Sequence, residues 1–256
     1  MLVDIQCRGH VAVLLLNNPR EHNILSGPLV LEMLAALRSQ QVRQARALVI
    51  GGEGKSFCAG ANIQDLLARG WMKGLNPESN PVTLFRRLLD DPRPVIGAIG
   101  GLALGGGFEL ALSCDLIIAS DQASFSLPEA GHGVIPNTGL ALLAQMIGRR
   151  RALECMMTLQ RISAQQAQDL GLVNAIVASN ELLDRAVQMA DTIIGRCAPG
   201  ALREMKSSMN RHAEINWHEV NDSLARLPED QWREGLSAFL EHRKPEYETY
   251  WSSGNA

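Results

Sequence analysis

The sequence lacks the cysteine and apolar patterns that mark extracellular and membrane proteins. Its five cysteines are scattered through 256 residues and none stands in a C-x-x-C pair. We therefore expect no disulfide framework, no metal site and a reducing compartment. Apolar runs such as Val11–Leu16 are far too short to span a bilayer. Residues 1–16 contain no basic segment and no small-residue cleavage site, so the sequence predicts no signal peptide and a cytoplasmic protein.

Positive charge is not in excess either. The sequence has 24 Lys and Arg residues against 27 Asp and Glu residues, a net charge of −3. This balance argues against nucleic acid or an anionic membrane as a partner. The hydrophobic fraction of 46% is enough for one sizeable core with a small helical appendage.

Strand-like runs alternate with helical patterns through most of the chain. Runs 47–50, 95–99 and 116–119 are apolar and β-rich, and each leads into a glycine-rich turn and a helical pattern. This alternation favours parallel strands and an α/β architecture. Two further strands, 2–7 and 11–16, precede them, and a short strand at 172–177 is predicted after them.

Helix boundaries are marked by capping residues. Ser26 is a predicted N-cap for a helix that we extend to Arg46, and residues 163–166 form a capping box whose helix stops at Gly171. From residue 181 the pattern is helical almost to the end, with interruptions at Pro199-Gly200 and Pro228. We divide the chain into a core, residues 1–197, and a C-terminal helical region, residues 198–256.

One segment resists assignment to a helix or a strand. Residues 69–82 predict a loop, yet this loop contains Trp71, Met72 and Leu75. These apolar side chains either pack on the core or form the wall of a ligand pocket, and the sequence leaves both alternatives open.

Two glycine motifs suggest nucleotide binding but fail in detail. Gly54-Lys55-Ser56 ends like a phosphate-binding loop, but Val49 stands where the pattern requires its first glycine. The glycines 105–107 open a helix after a strand, but Leu110 occupies the third position of the dinucleotide fingerprint.

Three segments that follow predicted strands carry the candidate chemistry. Residues 56–63 place small side chains before a short helix, where backbone amides face developing negative charge. Residues 100–112 open a helix with three glycines and place Glu109 in apolar surroundings, which raise a carboxyl pKa. Residues 124–139 carry Glu129 in a loop. Taken singly, each segment also has an ordinary structural explanation, as a tight turn, a helix-dipole contact or a solvated loop.

Together, the three segments resemble the enoyl-CoA hydratase/isomerase, or crotonase, superfamily. Its first oxyanion-hole motif is similar to F-C-A-G-A-N at 57–62, its second to A-L-G-G-G-F-E at 103–109, and its second-carboxylate segment to L-P-E at 127–129. The ending F-L-E-H-R-K-P-E at 239–246 resembles the family's C-terminal helix and basic tail. The resemblance covers nearly the whole chain. It implies a spiral of repeated ββα units with a C-terminal helical trimerisation region.

The resemblance also implies roles for individual residues. The backbone N–H groups of Ala61 and Gly106 would bind the thioester oxygen, while Glu109 and Glu129 would face the α and β carbons and share a catalytic water. Further residues expected to contact the substrate or its CoA are Glu21, His22, Ala59, Asn62, Ile63, Pro128, Asn137 and Lys244. Of these, Lys244, or else Arg243, is expected to reach a phosphate on a neighbouring subunit of a homotrimer or hexamer. No cofactor is implied, because coenzyme A is part of the substrate.

The activity that we expect is reversible addition of water to a 2-enoyl-CoA, a lyase reaction. The addition places charge on the carbonyl oxygen, which two fixed amides stabilise. One carboxylate takes a proton from water and the other delivers one to the α carbon.

Two departures from the family bear on this expectation. Asn62 stands where many members have Asp, and the turn 136–139 (P-N-T-G) replaces a more glycine-rich one, adding the Asn137 side chain near Glu129.

Three alternatives remain beside hydration. The first is another crotonase-type reaction of an acyl-CoA, above all isomerisation of a 3-enoyl-CoA to a 2-enoyl-CoA, which can run on the single carboxylate of Glu129. A non-catalytic CoA-binding protein is disfavoured because both carboxylates are present. RNA binding is disfavoured because helix 28–46 carries arginines but no lysine and the net charge is negative.

Overall fold

The computed structural model describes residues 1–69, 77–213, 215–217 and 226–252, and its strands form two sheets. The larger sheet has the order β1-β2-β3-β5-β7-β10 and the smaller one β4-β6-β8-β9. The strands are β1 (Val3–Arg8), β2 (Val11–Leu16), β3 (Ala47–Gly52), β4 (Ser56–Cys58), β5 (Val95–Ile99), β6 (Leu102–Leu104), β7 (Leu116–Ser120), β8 (Ser124–Ser126), β9 (Ile162–Ser163) and β10 (Ala175–Val177).

The larger sheet begins with a hairpin and continues with parallel strands. β1 pairs antiparallel with β2 around Gly9, and β2, β3, β5, β7 and β10 pair in parallel. All residues of β2 and β5 are buried, as expected for parallel strands covered on both faces. The predicted parallel pairing of runs 47–50, 95–99 and 116–119 is confirmed.

Three strands of the smaller sheet, β4, β6 and β8, each follow closely on a strand of the larger one and lead into a helix. The helices are α1 (Gly27–Arg38), α2 (Gln40–Arg43), α3 (Ile63–Arg69), α4 (Pro81–Leu89), α5 (Gly106–Leu112), α6 (Asn137–Ile147), α7 (Arg149–Met157), α8 (Ala164–Asp169), α9 (Leu182–Arg196), α10 (Pro199–Ala213), α11 (Glu229–Leu240) and α12 (Glu248–Ser252). The units β3-β4-α3, β5-β6-α5 and β7-β8-α6 are therefore three turns of a ββα spiral, and the predicted fold class is confirmed.

The capping signals hold, but one helix is shorter than predicted. The Ser26 hydroxyl accepts a hydrogen bond from the N–H of Leu29, and both hydrogen bonds of the Ser163–Gln166 capping box are present. The prediction of one helix over 28–46 is wrong, because Ser39 turns to an extended conformation and separates α1 from α2. The Ser39 hydroxyl donates to the Ala36 carbonyl oxygen, which ends the first helix.

The loop predicted at 69–82 contains more structure than its composition indicates. Residues 77–79 form a 3-10 turn, and Asn80 caps α4 through a hydrogen bond from the N–H of Val82. Trp71, Met72 and Leu75 lie outside the described residues.

The C-terminal helices meet the core in two different ways. Lys206 on α10 donates to the carbonyl oxygens of Leu88 and Arg93 and pairs with Asp115 at 2.8 Å. Helix α11 instead packs on α3 and on the 3-10 turn 129–132, where Trp232 and Leu236 are buried with Leu66 and Val134. The division of the chain at residue 197 stays a prediction.

Two further findings concern the described part of the chain. No helix in it is long and apolar enough to cross a membrane. All five cysteines are free, and no group of three or more His, Cys, Asp or Glu side chains converges there in a way that suits a metal ion.

Candidate active site

The three segments singled out in the sequence converge on one cavity of about 610 Å³. It lies where β4, β6 and β8 of the smaller sheet lead into their helices. The first segment contributes residues 59–64, the second Leu104 to Gly106 with Glu109, and the third Pro128 and Glu129. The remaining wall is mostly apolar, which is typical of a pocket for a small molecule.

Three glycines allow these segments to approach one another. At Gly107 any Cβ would overlap the carbonyl group of Cys58, so only glycine lets α5 pack against β4. Gly60 has φ of +107°, and a Cβ there would lie 2.9 Å from the carbonyl oxygen of Leu104. Gly105 has φ of +51° and forms the turn into α5. These positions require a residue without a side chain, which explains the small-residue motifs of the sequence.

The backbone amides of Ala61 and Gly106 lie side by side in the cavity. A Cβ built on Gly106 would be 3.7 Å from the Ala61 nitrogen. Gly106 is the first residue of α5, and the first N–H groups of a helix have no partner within it. Among the backbone hydrogen bonds of turns, loops and helix caps in the described residues, none has the N–H of Ala61 or Gly106 as its donor. Two adjacent free N–H groups at a helix start can bind an oxyanion.

Glu109 is buried beneath this amide pair, with 5% of its surface exposed. One carboxylate oxygen accepts a 2.7 Å hydrogen bond from the N–H of Gly139, in the first turn of α6. Burial raises the pKa of Glu109 to about 7, although the N–H groups of Gly139, Thr138 and Asn137 act to lower it. Glu109 therefore changes protonation near neutral pH, as a proton-transfer group must.

Glu129 is the second buried carboxylate of the cavity, with 9% of its surface exposed. Burial, and then the charge of Glu109, raise its pKa well above the ordinary value of 4.5. Its Oε2 has no hydrogen-bond partner among the described residues. Since Glu109 has three amides that favour its charged form and Glu129 does not, Glu129 holds a proton more firmly.

The turn after β2 forms one rim of the cavity. His22 and Asn23 both have positive φ, and the side chain of Asn23 is fully buried. Asn23 Nδ2 donates to the carbonyl oxygens of Glu53 and Ser56, while its Oδ1 accepts from the N–H of Asn18. His22 Nδ1 lies 3.0 Å from Ser56 Oγ. Asn23 thus fixes the rim on which Glu21 and His22 face the cavity, a supporting role that the sequence patterns did not reveal.

Most residues predicted from the resemblance line this cavity. They are Glu21, His22, Ala59, Ala61, Asn62, Ile63, Gly106, Glu109, Pro128, Glu129 and Asn137. Lys244 does not line the cavity of its own chain. Arg243 is paired within its own chain with Glu234 and Glu241. Asn62 also caps α3, because its Oδ1 accepts from the N–H of Asp65, a role that Asn and Asp fill equally well.

Sequence reasoning missed the residues that close the cavity. Phe239 and Leu240 at the end of α11 line it, as do His132, Val134 and Phe85. Gly235 of α11 lies so close to the His132 carbonyl group that a Cβ would overlap it. Gly235 is the one sequence feature that could have indicated this packing. A glycine inside a helix lowers the stability of the helix and usually marks a close approach of another segment.

A ββα spiral that brings two free amides and two buried carboxylates into one apolar cavity defines a site for stabilising an oxyanion during proton transfer. A model of the enoyl-CoA hydratase/isomerase family matches residues 6–250. The chain belongs to this family, and the predicted resemblance is confirmed.

The relatives of the chain are consistent with this membership. A probable enoyl-CoA hydratase of Rhizobium meliloti (strain 1021) is 34% identical over 95% of this chain and 96% of its own length. The short-chain-enoyl-CoA hydratase of Clostridium acetobutylicum is 33% identical over 95% of this chain and 96% of its own. Among solved structures, methylmalonyl-CoA decarboxylase in complex with 2-nitronate-propionyl-CoA superposes with a TM-score of 0.84 at 28% identity, covering 96% of this chain and 98% of that one.

Proposed function

We propose that this protein is an enoyl-CoA hydratase, a lyase that reversibly adds water to a 2-enoyl-CoA thioester. The observation that carries the proposal is the placement of Glu109 and Glu129 in the cavity that also holds the free amides of Ala61 and Gly106. Relatives named enoyl-CoA hydratase over nearly the whole chain support it.

The amide pair provides the electrostatic part of the mechanism. When the thioester carbonyl oxygen lies between the N–H groups of Ala61 and Gly106, they stabilise the charge that grows on it as the β carbon is attacked. These donors belong to the backbone and need no reorganisation during the reaction. Each is therefore expected to contribute about 100- to 1,000-fold to turnover.

The two carboxylates divide the proton transfers. Near neutral pH, Glu109 is the more easily ionised of the pair and acts as the base. It accepts a proton from water while the water oxygen bonds to the β carbon. The resulting enolate takes a proton at the α carbon from Glu129. A proton transfer from Glu109 to Glu129 then resets the site, and the net reaction consumes one water. Because the carboxylates supply both transfers, no separate cofactor is required.

The substrate enters as a CoA thioester. The solved structure of a similar protein holds an acyl-CoA analogue. Here Glu21, His22, Ala59, Asn62 and Ile63 form the rim along which the CoA portion would run. Pro128 and Asn137 line the cavity beside the carboxylates, where the acyl portion would lie.

We also propose that the protein assembles as a homotrimer or a pair of trimers. A second groove, lined by residues of α6, α9 and α10, carries exposed apolar side chains that include Met146, Met205 and Met209. Such surface on a protein of this size marks an interface. In that assembly Lys244, which lies outside the cavity of its own chain, would reach the CoA of a neighbour.

The five free cysteines support a cytoplasmic location.

A panel of 2-enoyl-CoA thioesters of varied chain length tests the activity, with loss of the conjugated-thioester absorbance as the signal and mass spectrometry of the product. Glu109→Gln and Glu129→Gln should each lower turnover by at least about 100-fold with little change in CoA affinity. Glu181→Gln, on the exposed start of α9, is the matched control and should have the wild-type rate.

Adding a 3-enoyl-CoA to this panel separates hydration from isomerisation, the second reaction of the family. Glu129, with its free Oε2, is the carboxylate that could shuttle a proton alone. Full isomerisation of a 3-enoyl-CoA by the Glu109→Gln variant, with hydration abolished, would favour an isomerase. Wild-type hydration by both variants would refute the site.

A further inference from the structure

The cavity is lined by polar side chains that the proposed mechanism does not use. Asn137 lines the cavity at the start of α6, and its Oδ1 is buried without a hydrogen-bond partner in the described residues. His132 lines the same cavity from the end of the 3-10 turn that begins at Glu129. No hydrogen bond to its ring nitrogens is found in the described part of the chain. Its ring instead packs edge-on against Phe239 at 4.9 Å.

The unpaired side-chain oxygen of Asn137 is energetically unfavourable. A buried amide oxygen without a donor costs on the order of 1–3 kcal/mol, which a ligand recovers if it supplies the missing hydrogen bond. The surrounding wall is formed by apolar side chains such as Leu66, Phe85 and Val134. A plain alkyl chain would fill the apolar part of the cavity but would leave Asn137 Oδ1 unsatisfied, with His132 as a second polar group in the same wall.

Charge decides what kind of polar group fits. Glu109 and Glu129 already lie in the cavity, and no lysine or arginine is among its described lining residues. Burial lowers the pKa of His132, so this ring is neutral at pH 7 and offers one donor and one acceptor. The Asn137 amide also offers both. A carboxylate on the acyl chain would be repelled by Glu109 and Glu129 without a compensating cation, whereas a hydroxyl group would meet two neutral partners.

We infer that Asn137 and His132 select a 2-enoyl-CoA whose acyl chain carries a hydroxyl group beyond the double bond. This inference rests on the proposed hydratase function and narrows its substrate class. Discrimination is expected to be strong, because a site that is built to bond a hydroxyl leaves its own polar groups unpaired when the hydroxyl is missing.

The test compares crotonyl-CoA with 4-hydroxycrotonyl-CoA, which has the same four-carbon chain and one added hydroxyl. The wild-type protein should give a kcat/KM at least about 10-fold higher for the hydroxylated thioester. Asn137→Leu should lose this preference, with kcat/KM falling about 10-fold or more for 4-hydroxycrotonyl-CoA and not for crotonyl-CoA. Val82→Ala, which changes the apolar wall alone, should affect both substrates alike.

Binding to the wild-type protein gives a readout that does not depend on the folding of a variant. Butyryl-CoA and 4-hydroxybutyryl-CoA cannot be hydrated, and calorimetry should show tighter binding of the hydroxylated one. A wild-type preference for crotonyl-CoA or for a carboxylated enoyl-CoA would overturn the inference. Equal losses on both substrates in Asn137→Leu would also overturn it, since they would assign Asn137 to the catalytic water. Failure of the wild-type protein to hydrate any enoyl-CoA would instead refute the proposed function.

Discussion

The carboxylate of Glu129 lies directly against Gly105, so that a Cβ on Gly105 would be 2.9 Å from Glu129 Oε1. Gly105→Ala should therefore displace Glu129 from the cavity. A displacement on the order of 1 Å in a proton-transfer group can lower turnover by roughly 100-fold. Steady-state hydration kinetics measure this loss, with circular dichroism as the test of folding.

The strain of the backbone itself needs a separate control. Gly105 has φ of +51°, and Gly9 has φ of +60° with nothing within 4 Å of a Cβ. Gly9→Ala therefore places an alanine at a positive φ without displacing a neighbour. It should lower stability slightly and leave turnover unchanged. An active Gly105→Ala protein, or an equal loss in Gly9→Ala, would contradict the proposed role of this contact.

The oxyanion hole can be tested by removing one N–H. Gly106→Pro deletes the donor, because proline has no backbone N–H. Since Gly106 is the first residue of α5, proline there suits the helix geometry. Turnover should fall by about 100- to 1,000-fold while CoA binding persists. Circular dichroism must first show an intact fold, and a folded Gly106→Pro protein with full activity would exclude this amide from catalysis.

The buried carboxylates should make stability depend on pH. Burial raises the pKa of Glu109 from 4.5 to about 7 in the folded protein. Between these values the folded state holds a proton that the unfolded state has released, so the stabilisation falls as pH rises. Glu109→Gln removes this penalty. It should raise the free energy of unfolding at pH 8 by roughly 1–3 kcal/mol, and by less at pH 5.

Urea unfolding of wild-type, Glu109→Gln and Glu181→Gln proteins at both pH values measures this difference. The Glu181 variant should follow the wild-type curve. If Glu109→Gln has no stabilising effect at pH 8, then the carboxylate is not held at an energetic cost in the folded protein.

The hydrogen bonds and the ion pair made by Lys206 on α10 should contribute more to stability than a surface ion pair does. Lys206→Met removes three hydrogen bonds that join α10 to Leu88, Arg93 and Asp115. Because the Lys206 side chain is 12% exposed and that of Asp115 27%, we expect a loss of about 1–2 kcal/mol. Arg233→Met breaks an exposed pair with Glu229 and should cost less than about 0.5 kcal/mol. Equal effects in thermal unfolding would contradict the assigned difference.

The local motifs of the sequence predicted the centre of the site, because backbone geometry forces particular residue types there. Gly105 is required by a positive φ and Gly107 by the close approach of α5 to β4, and such requirements are visible as glycine spacing. The raised pKa of Glu109 was likewise predictable, since its neighbours in the sequence are apolar. The three amides of α6 that hold its carboxylate were not predicted, because they come from a segment thirty residues away along the chain.

Contacts between distant segments account for most of what the sequence did not reveal. Helix α4 has a cap and a strong apolar face, yet it follows a stretch with few helix signals and was predicted as loop in part. The closure of the cavity by Phe239 and Leu240 depends on how α11 docks against the turn 129–132. No local pattern encodes that docking beyond the single glycine at position 235.

The docking of α11 also has a genetic consequence. Phe239 and Leu240 line the same chain's cavity as Glu109 and Glu129, so each polypeptide encodes both the catalytic carboxylates and the cover over them. Within an oligomer, a subunit inactivated at Glu109 therefore cannot lend its α11 to a subunit that lacks one. Two such alleles expressed together are expected to stay inactive.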